Sequence, residues 1–297
     1  MKRHMLLGAL LATLAVVVPD AGTASTDAVL VDVQRADGVA VGDDDVVWVL
    51  AVGSDARPGE DMTRVNGDAL QLVGMDTSTG AATSIGIPRD SYVAVPGHGS
   101  ERVNNALHLG GPQLLSETVA DFVGIQPDYV FVTRFPFFEQ MVDDIGGISV
   151  DNPRAFSDDN LKPEGFEAGR IRLDGYGAMA FSRVRKELPG GDFDRSANQQ
   201  RVLRGIQRRV AEQADRRGFL ESGVLTVLEH TDTDLSPAEL FRLARAVAEV
   251  DPRRITGCVV QGTPTITSFG ASVVLPAADD ARRYGDDARD DAVISRC

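Results

Sequence analysis

The chain has 297 residues, of which 43% are hydrophobic and 25% charged, enough to bury a sizeable core in one large domain or two modest ones. Asp and Glu number 44 against 30 Lys and Arg, a net charge of -14. That balance argues against a nucleic-acid partner, because phosphate backbones need a net basic face. Lys occurs only at Lys2, Lys162 and Lys186, so nearly every cation is an Arg. Arg suits fork-like contacts to phosphate, although a GC-rich coding sequence produces the same bias.

Met1-Lys2-Arg3-His4 is basic, Met5 to Val18 is apolar or small apart from Thr13, and Ala21 to Ala24 are small. This is the layout of a secretory signal, and the run falls short of the roughly 20 residues of a membrane span. Residues 1–24 are therefore read as a cleavable signal, with an uncleaved anchor as the alternative. Both readings put the remainder outside the cytoplasm, secreted or anchored at the outer face of the cytoplasmic membrane. Residues 25–44 are polar and acidic and read as a linker.

Val46 to Val52 is continuously apolar, as a buried central strand should be. Residues 55–68 are polar with Gly and Pro, hence a loop. Ala69 to Met75 and Ala82 to Ile87 read as a hairpin around Thr77-Ser78-Thr79-Gly80. Helices are expected over about 113–123, after Gly111-Pro112, and over Phe135 to Ile145, which stops at Gly146-Gly147. Strands are expected at Tyr129 to Val132 and Ile148 to Val150, then a polar excursion over 152–170. Leu173 to Phe181 reads as a short helix leading into a strand or turn. Ala197 to Arg216 is an amphipathic helix with Val202, Ile206 and Val210 as its stripe. Two more follow, at 218–229 and 237–250, the second capped by Ser236-Pro237. Cys258 to Val260 and Ser272 to Leu275 read as late strands, and the acidic tail after Ala277 as extended. Interleaved strands and helices imply an α/β class: a three-layer α/β/α fold whose central mixed β-sheet is flanked by helices.

Only two cysteines occur, Cys258 and Cys297, without metal-ligand spacing. In an oxidising compartment they can pair and clip the tail to the domain, contributing about 3–4 kcal/mol by loop closure; two unpaired thiols are the alternative.

Charged pairs recur where strands end, where open α/β sheets place their sites. Asp55 and Arg57 follow the first central strand, and Arg64 and Asp68 precede the second. Arg89 and Asp90 follow the third, and Arg102 and Asn104 lie downstream. Arg183 and Arg185 fall on one side of a segment read as extended, and Asp192, Asp194, Arg195 and Gln199 lead into the long helix. Arg without Lys or His points to a ligand with several anionic oxygens, such as a pyrophosphate. Asp among the Arg points to a divalent cation, and hard carboxylate oxygens suit Mg²⁺. Any one pair alone reads equally as a solvated face or a local ion pair. Ser54 is not in a nucleophile elbow. His98 and His108 lack a carboxylate signal and read as structural or exposed. Phe135, Phe137 and Phe138 read as helix packing, with contact to a lipid tail as the alternative.

In order, these segments resemble the LytR–CpsA–Psr family of cell-wall ligases over about residues 46–210. The resemblance rests on Val52-Gly53-Ser54-Asp55-Ala56-Arg57, Ile87-Pro88-Arg89-Asp90, Arg102-Val103-Asn104-Asn105-Ala106 with Gly110-Gly111, and Ile145 to Val150. It continues through Leu173-Asp174-Gly175, Phe181-Ser182-Arg183-Val184-Arg185, and Asp192-Phe193-Asp194-Arg195 with Gln199-Gln200. It implies a catalytic domain over 45–255, with 256–297 as C-terminal strands and an acidic tail. It also implies Mg²⁺-dependent transfer of a glycopolymer from an undecaprenyl-pyrophosphate carrier to peptidoglycan, at the C6 hydroxyl of N-acetylmuramic acid. The membrane surface would be met through the lipid substrate. By carry-over, Asp55, Asp68, Arg89 and Asp90 form the catalytic set, with Asp55 and Asp68 holding Mg²⁺. Arg57, Arg64, Arg102, Asn104, Arg183, Arg185, Arg195 and Gln199 would bind the pyrophosphate, with Asp192 supporting. Two positions depart from the family pattern: three residues separate Arg64 from Asp68, and Asn198 stands where an Arg is common. A non-catalytic polyprenyl-phosphate-binding regulator and a lipid pyrophosphatase remain alternatives. The glycopolymer, whether teichoic acid, capsule or arabinogalactan, is left open.

Overall fold

The computed structural model describes residues 27–33 and 45–297. The expected signal, 1–24, and most of the expected linker lie outside the described residues. Residues 27–33 do not behave as a linker: β1 (Ala28–Asp32) is a sheet strand, with Ala28 and Leu30 buried. Then come β2 (Val46–Ser54), β3 (Gly67–Asp76), β4 (Ala82–Gly86) and the hairpin of β5 (Tyr92–Val95) and β6 (Gly99–Arg102). After α1 (Asn105–Val123) follow β7 (Tyr129–Thr133), α2 (Phe135–Asp144), β8 (Ile148–Asn152), β9 (Phe156–Asp158), β10 (Lys162–Phe166) and β11 (Gly169–Leu173). The rest comprises α3 (Gly175–Arg183), α4 (Asp192–Gln213), α5 (Phe219–His230), β12 (Thr231–Thr233), α6 (Pro237–Glu249), β13 (Cys258–Val259), β14 (Gly262–Ile266), β15 (Ser272–Pro276) and α7 (Ala278–Ala288).

Among the described residues the central sheet has seven strands in the order β12-β1-β7-β2-β3-β4-β13. It is mixed: β2 is parallel to β7 and antiparallel to β3, and β4 is antiparallel to β3 and parallel to β13. α1 and α7 share one core with the sheet, through Leu107, Leu115, Val119, Tyr284 and Ala288. On the other face α4 and α6 approach β3, and α5 and α6 pack on Tyr129 and Phe131. The fold is therefore the expected three-layer α/β/α arrangement.

β2 explains why its sequence reads as one apolar run. Trp48, Leu50 and Val52 are 4%, 0% and 2% exposed and belong to the α1 core, whereas Val47, Val49 and Ala51 on the opposite face are only half-buried. On that second face Val47 and Val49 pack against Met75, Ala82 and Val250, and Ala51 lines a cavity.

Several local expectations fail for tertiary reasons. α1 begins at Asn105, well before Gly111-Pro112. Gly111 takes φ 74 inside it, a left-handed kink that glycine tolerates, and Pro112 restarts the helix. The polar excursion folds into β9, β10 and β11. The tail after Ala277 is helical, not extended: Ala281, Tyr284 and Ala288 make one buried stripe against α1. Cys258 and Cys297 form a disulfide that ties this tail to the edge of the sheet. α6 carries the expected cap as a full capping box between Ser236 and Glu239. No helix among the described residues is long and apolar enough to cross a membrane.

Candidate functional site

β2, β4 and β7 all end at one edge of the sheet, and antiparallel β3 begins there, which gathers residues far apart in sequence. Asp55 follows β2, its N–H donating to the Asn66 carbonyl at 3.3 Å. Asp68 is the second residue of β3, and Arg89 and Asp90 follow β4. The Arg102-Val103-Asn104 segment is tied to the same loop: Val103 N–H donates to the Ser91 carbonyl at 2.8 Å, and Asn104 N–H to that of Arg89 at 3.3 Å.

Beneath this edge, between the sheet and α2, α3 and α4, lies a cavity of about 630 Å³. Its depth is apolar, with Ala51 and Phe131 from the sheet, Phe138 and Met141 from α2, and Val202 and Ile206 from α4. Its mouth is cationic, with Arg89, Arg183, Arg185 and Arg195 beside Asp68 and Gln199. Arg89 is paired with Asp68, yet its Nε is buried without a hydrogen-bond partner. Burial works against the Arg89 charge, but Asp68 outweighs it and the guanidinium is held above its usual value. Asp90 is a hub, 3.9 Å from Arg89 Nε, 3.7 Å from Arg102 and 3.8 Å from Arg185. Arg195 is 7% exposed and paired with Asp192. Burial pushes the Asp192 carboxyl up and the Arg195 guanidinium down, each opposed by the charge of the other. A buried pair of this kind fixes geometry more than it stabilises.

A buried polar layer positions α4 over the sheet. Gln71 Nε2 donates to Ser196 Oγ at 3.0 Å and to Gln199 Oε1 at 3.1 Å, and its own Oε1 accepts from Ser84 Oγ at 3.0 Å. A Cβ on Gly86 would stand 2.5 Å from Ser196 Oγ, so glycine there lets the helix close on β4. The sequence reading missed Gln71. Its signal is a lone amide inside an apolar strand.

The expected site residues do not all converge. Arg183 and Arg185 do not share one side of an extended segment. Arg183 ends α3 and stacks 4.3 Å from the centre of the Phe135 ring, whereas Arg185, beyond the helix, faces Asp90. The Asn104 side chain is buried and lines neither cavity, its Oδ1 without a partner. Arg102 reaches the rim through Asp90. Arg57 and Arg64 stand apart from the mouth. With Asp55, Glu101, Asn105 and His108 they line a separate polar cleft of about 560 Å³. His108, read as structural or exposed, lines this cleft with its Nδ1 2.7 Å from the Arg64 carbonyl. Asn198 is buried and accepts from Arg201 at 2.8 Å, outside the cavity lining. Ser54, the last residue of β2, is fully buried and donates to the Met62 carbonyl at 3.0 Å, so it offers no exposed nucleophile. Phe135 and Phe138 line the cavity, whereas Phe137 is core.

Cleft and cavity meet at two carboxylates. Partial burial, and next the charge of Asp68, holds the Asp55 carboxyl above its usual range, with Arg89 opposing. A hard divalent cation would relieve that repulsion. Two carboxylates without a third acidic or imidazole ligand among the described residues would leave the rest of its shell to water and phosphate oxygens, a donor set that suits Mg²⁺.

The model of the LytR_cpsA_psr family matches residues 18–289. A polyisoprenyl-teichoic acid–peptidoglycan teichoic acid transferase, TagU of Bacillus anthracis, is 30% identical over 210 residues, which is 70% of this chain and 67% of that protein. The Bacillus subtilis TagU is 34% identical over 169 residues, 57% of this chain and 53% of that one. The crystal structure of B. subtilis TagU superposes with a TM-score of 0.61 at 26% identity, covering 84% of this chain and 99% of that one. The family protein YwtF (TagT) with bound octaprenyl pyrophosphate lipid superposes at 0.63 and 22% identity, covering 87% and 95%, a likeness of fold.

Proposed function

The chain belongs to the LytR–CpsA–Psr family, and on that premise we propose that it moves a glycopolymer from a polyprenyl-pyrophosphate carrier to a hydroxyl of peptidoglycan. The observation that carries this reading is the pairing of an apolar cavity with a cationic mouth. A polyprenyl tail buries itself in the first, since apolar area leaving water contributes roughly 25 cal/mol per Å². A pyrophosphate sits in the second, among the guanidinium groups of Arg89, Arg183, Arg185 and Arg195.

In the proposed reaction the acceptor is the C6 hydroxyl of N-acetylmuramic acid, entering by the polar cleft. Its oxygen bonds to the phosphorus that bears the glycan. The bond from that phosphorus to the bridging oxygen breaks, and polyprenyl phosphate leaves with the bridging oxygen. Asp55 or Asp68 takes the hydroxyl proton. Arg89, Arg183, Arg185 and Arg195 absorb charge on the phosphoryl oxygens and the leaving group. Asp90 orients Arg89, Arg102 and Arg185, and Asp192 orients Arg195. Mg²⁺ held by Asp55 and Asp68 would neutralise phosphate charge when bound.

The test is a transfer assay with a synthetic lipid-pyrophosphate-sugar donor, peptidoglycan oligomers and Mg²⁺. Polyprenyl phosphate released in step with sugar appearing on the glycan supports the ligase. Release without sugar transfer makes the protein a lipid pyrophosphatase, and donor binding without release makes it a carrier-binding regulator.

A further inference from the structure

No residue between Arg254 and Asp279 carries a charge, in a chain where 25% do. The outer part of that stretch is the antiparallel β14–β15 hairpin. Ile266 on it is 71% exposed, Leu275 50%, and Phe269, in the connecting turn, 94%. The register sends Leu275 to the face opposite Ile266, so the exposed apolar surface at the tip is Ile266 with Phe269. One exposed apolar side chain is ordinary on a protein surface; two side by side at the tip of an uncharged hairpin call for a partner. The turn around Phe269 is Thr267, Ser268, Gly270 and Ala271, all small, with hydroxyls suited to a wet interface.

The hairpin is fastened to the site. β13 runs parallel to β4 and brings Val259 opposite Gly86, at the edge where the site lies, and β14 starts soon after. On the return, Val274 N–H donates to the Asp90 carbonyl at 2.8 Å, and Val274 bridges to Ser91. The amino-terminal end of the fold is held at the same edge, because Ala28 pairs with Thr133 and Arg134 N–H donates to the Asp27 carbonyl at 3.1 Å.

We propose that the β14–β15 hairpin inserts Phe269 and Ile266 into the headgroup–acyl boundary of a phospholipid bilayer, seating the cavity mouth against the membrane. A net charge of -14 repels an anionic bilayer, and this stretch can approach it without bringing a carboxylate along. The choice of a bilayer over a protein partner rests on the lipid-linked donor proposed above. Two apolar side chains give weak, reversible docking, which orients a mouth that must take up and release lipid.

The test uses the full chain carrying Phe269→Trp, with vesicles of phosphatidylcholine and phosphatidylglycerol whose acyl chains are plain or brominated. Signal from the buried Trp48 is subtracted with the unsubstituted protein. Vesicles should shift the emission of the introduced indole to shorter wavelength, and brominated chains should quench it. The double variant Phe269→Asp with Ile266→Asp should cut transfer from a vesicle-embedded donor about tenfold or more. Transfer from a short-chain, water-soluble pyrophosphate donor should stay unchanged. An indole that keeps its aqueous emission on vesicles overturns the proposal. So does a shift that grows with protein concentration without lipid, which assigns the face to a second copy of the chain. If the unsubstituted protein transfers from neither donor, the ligase reading falls, and quenching still decides the hairpin.

Discussion

Arg89 and Asp68 form an ion pair at the point where the apolar cavity opens at the edge of the sheet. Arg89→Ala removes a positioned cation from the mouth and leaves Asp68 unpaired beside Asp55. The rate of the transfer step should fall about 10²–10³-fold, the cost of losing one pre-placed donor to developing charge. Arg89→Lys should recover only part of it, because an ammonium cannot make the fork. Single-turnover release of polyprenyl phosphate measures both. A rate within a few-fold of the unsubstituted protein for Arg89→Ala would remove this residue from the chemistry.

Asp55→Asn separates activity from stability. Asp55 binds its proton more tightly folded than unfolded, so its ionisation costs the folded state. That cost is absent below the unfolded value near 4 and complete once the pH exceeds the raised folded value. In metal-free buffer at neutral pH the variant should therefore melt slightly higher than the unsubstituted protein, the difference vanishing as the pH falls towards 4. Added Mg²⁺ should raise the melting temperature of the unsubstituted protein and not of the variant, while transfer by the variant is lost. Equal Mg²⁺ response in the two would take Asp55 out of the metal site.

Ile206 lines the depth of the cavity, away from the guanidinium groups. Ile206→Trp should fill part of that space and weaken binding of long polyprenyl pyrophosphates by about tenfold or more, the worth of a few buried methylenes. A donor with a two-isoprene tail should bind nearly as before. Titration of a chain-length series gives the answer. Equal weakening at every length would mean that the substitution disturbs the mouth and not the depth.

The Cys258–Cys297 disulfide closes a loop with a sequence separation of 39. Loop-closure entropy for that length is worth about 4 kcal/mol, or about 10 °C in melting temperature for a domain of this size. Cys297→Ser should lower the melting temperature accordingly, and a reductant should do the same to the unsubstituted protein and nothing further to the variant. Since α7 packs on α1, whose first residues line the polar cleft, proteolysis should begin in the tail. Unchanged melting would show that packing alone holds α7.

Much of the site is written locally. The runs from Val46 to Val52 and Tyr129 to Val132 read as strands because burial of one whole face and half of the other leaves little room for polar residues. The motif residues at strand ends, Asp55, Asp68, Arg89 and Asp90, were legible because chain order and spacing survive in the sequence. The pairing of Cys258 with Cys297 was legible because two cysteines have only one way to pair within the chain. Sorting was not legible. Arg57 and Arg64 match the pyrophosphate set as residue types, yet sheet register and the approach of α1 send them to a different cleft from Arg89, Arg185 and Arg195. Arg183 and Arg185, two apart, look like neighbours on a strand, but the end of α3 between them turns one onto Phe135 and the other towards Asp90. β1 and α7 were read as linker and extended tail because each buries only a narrow stripe that polar neighbours mask. Sequence by itself determined which chemical groups are present and which elements carry them, since those depend on periodicity and spacing over a few residues. Only the tertiary structure decided which groups share a cavity, because that depends on strand order and helix docking across more than a hundred residues, as in the contact of Gln71 with Ser196.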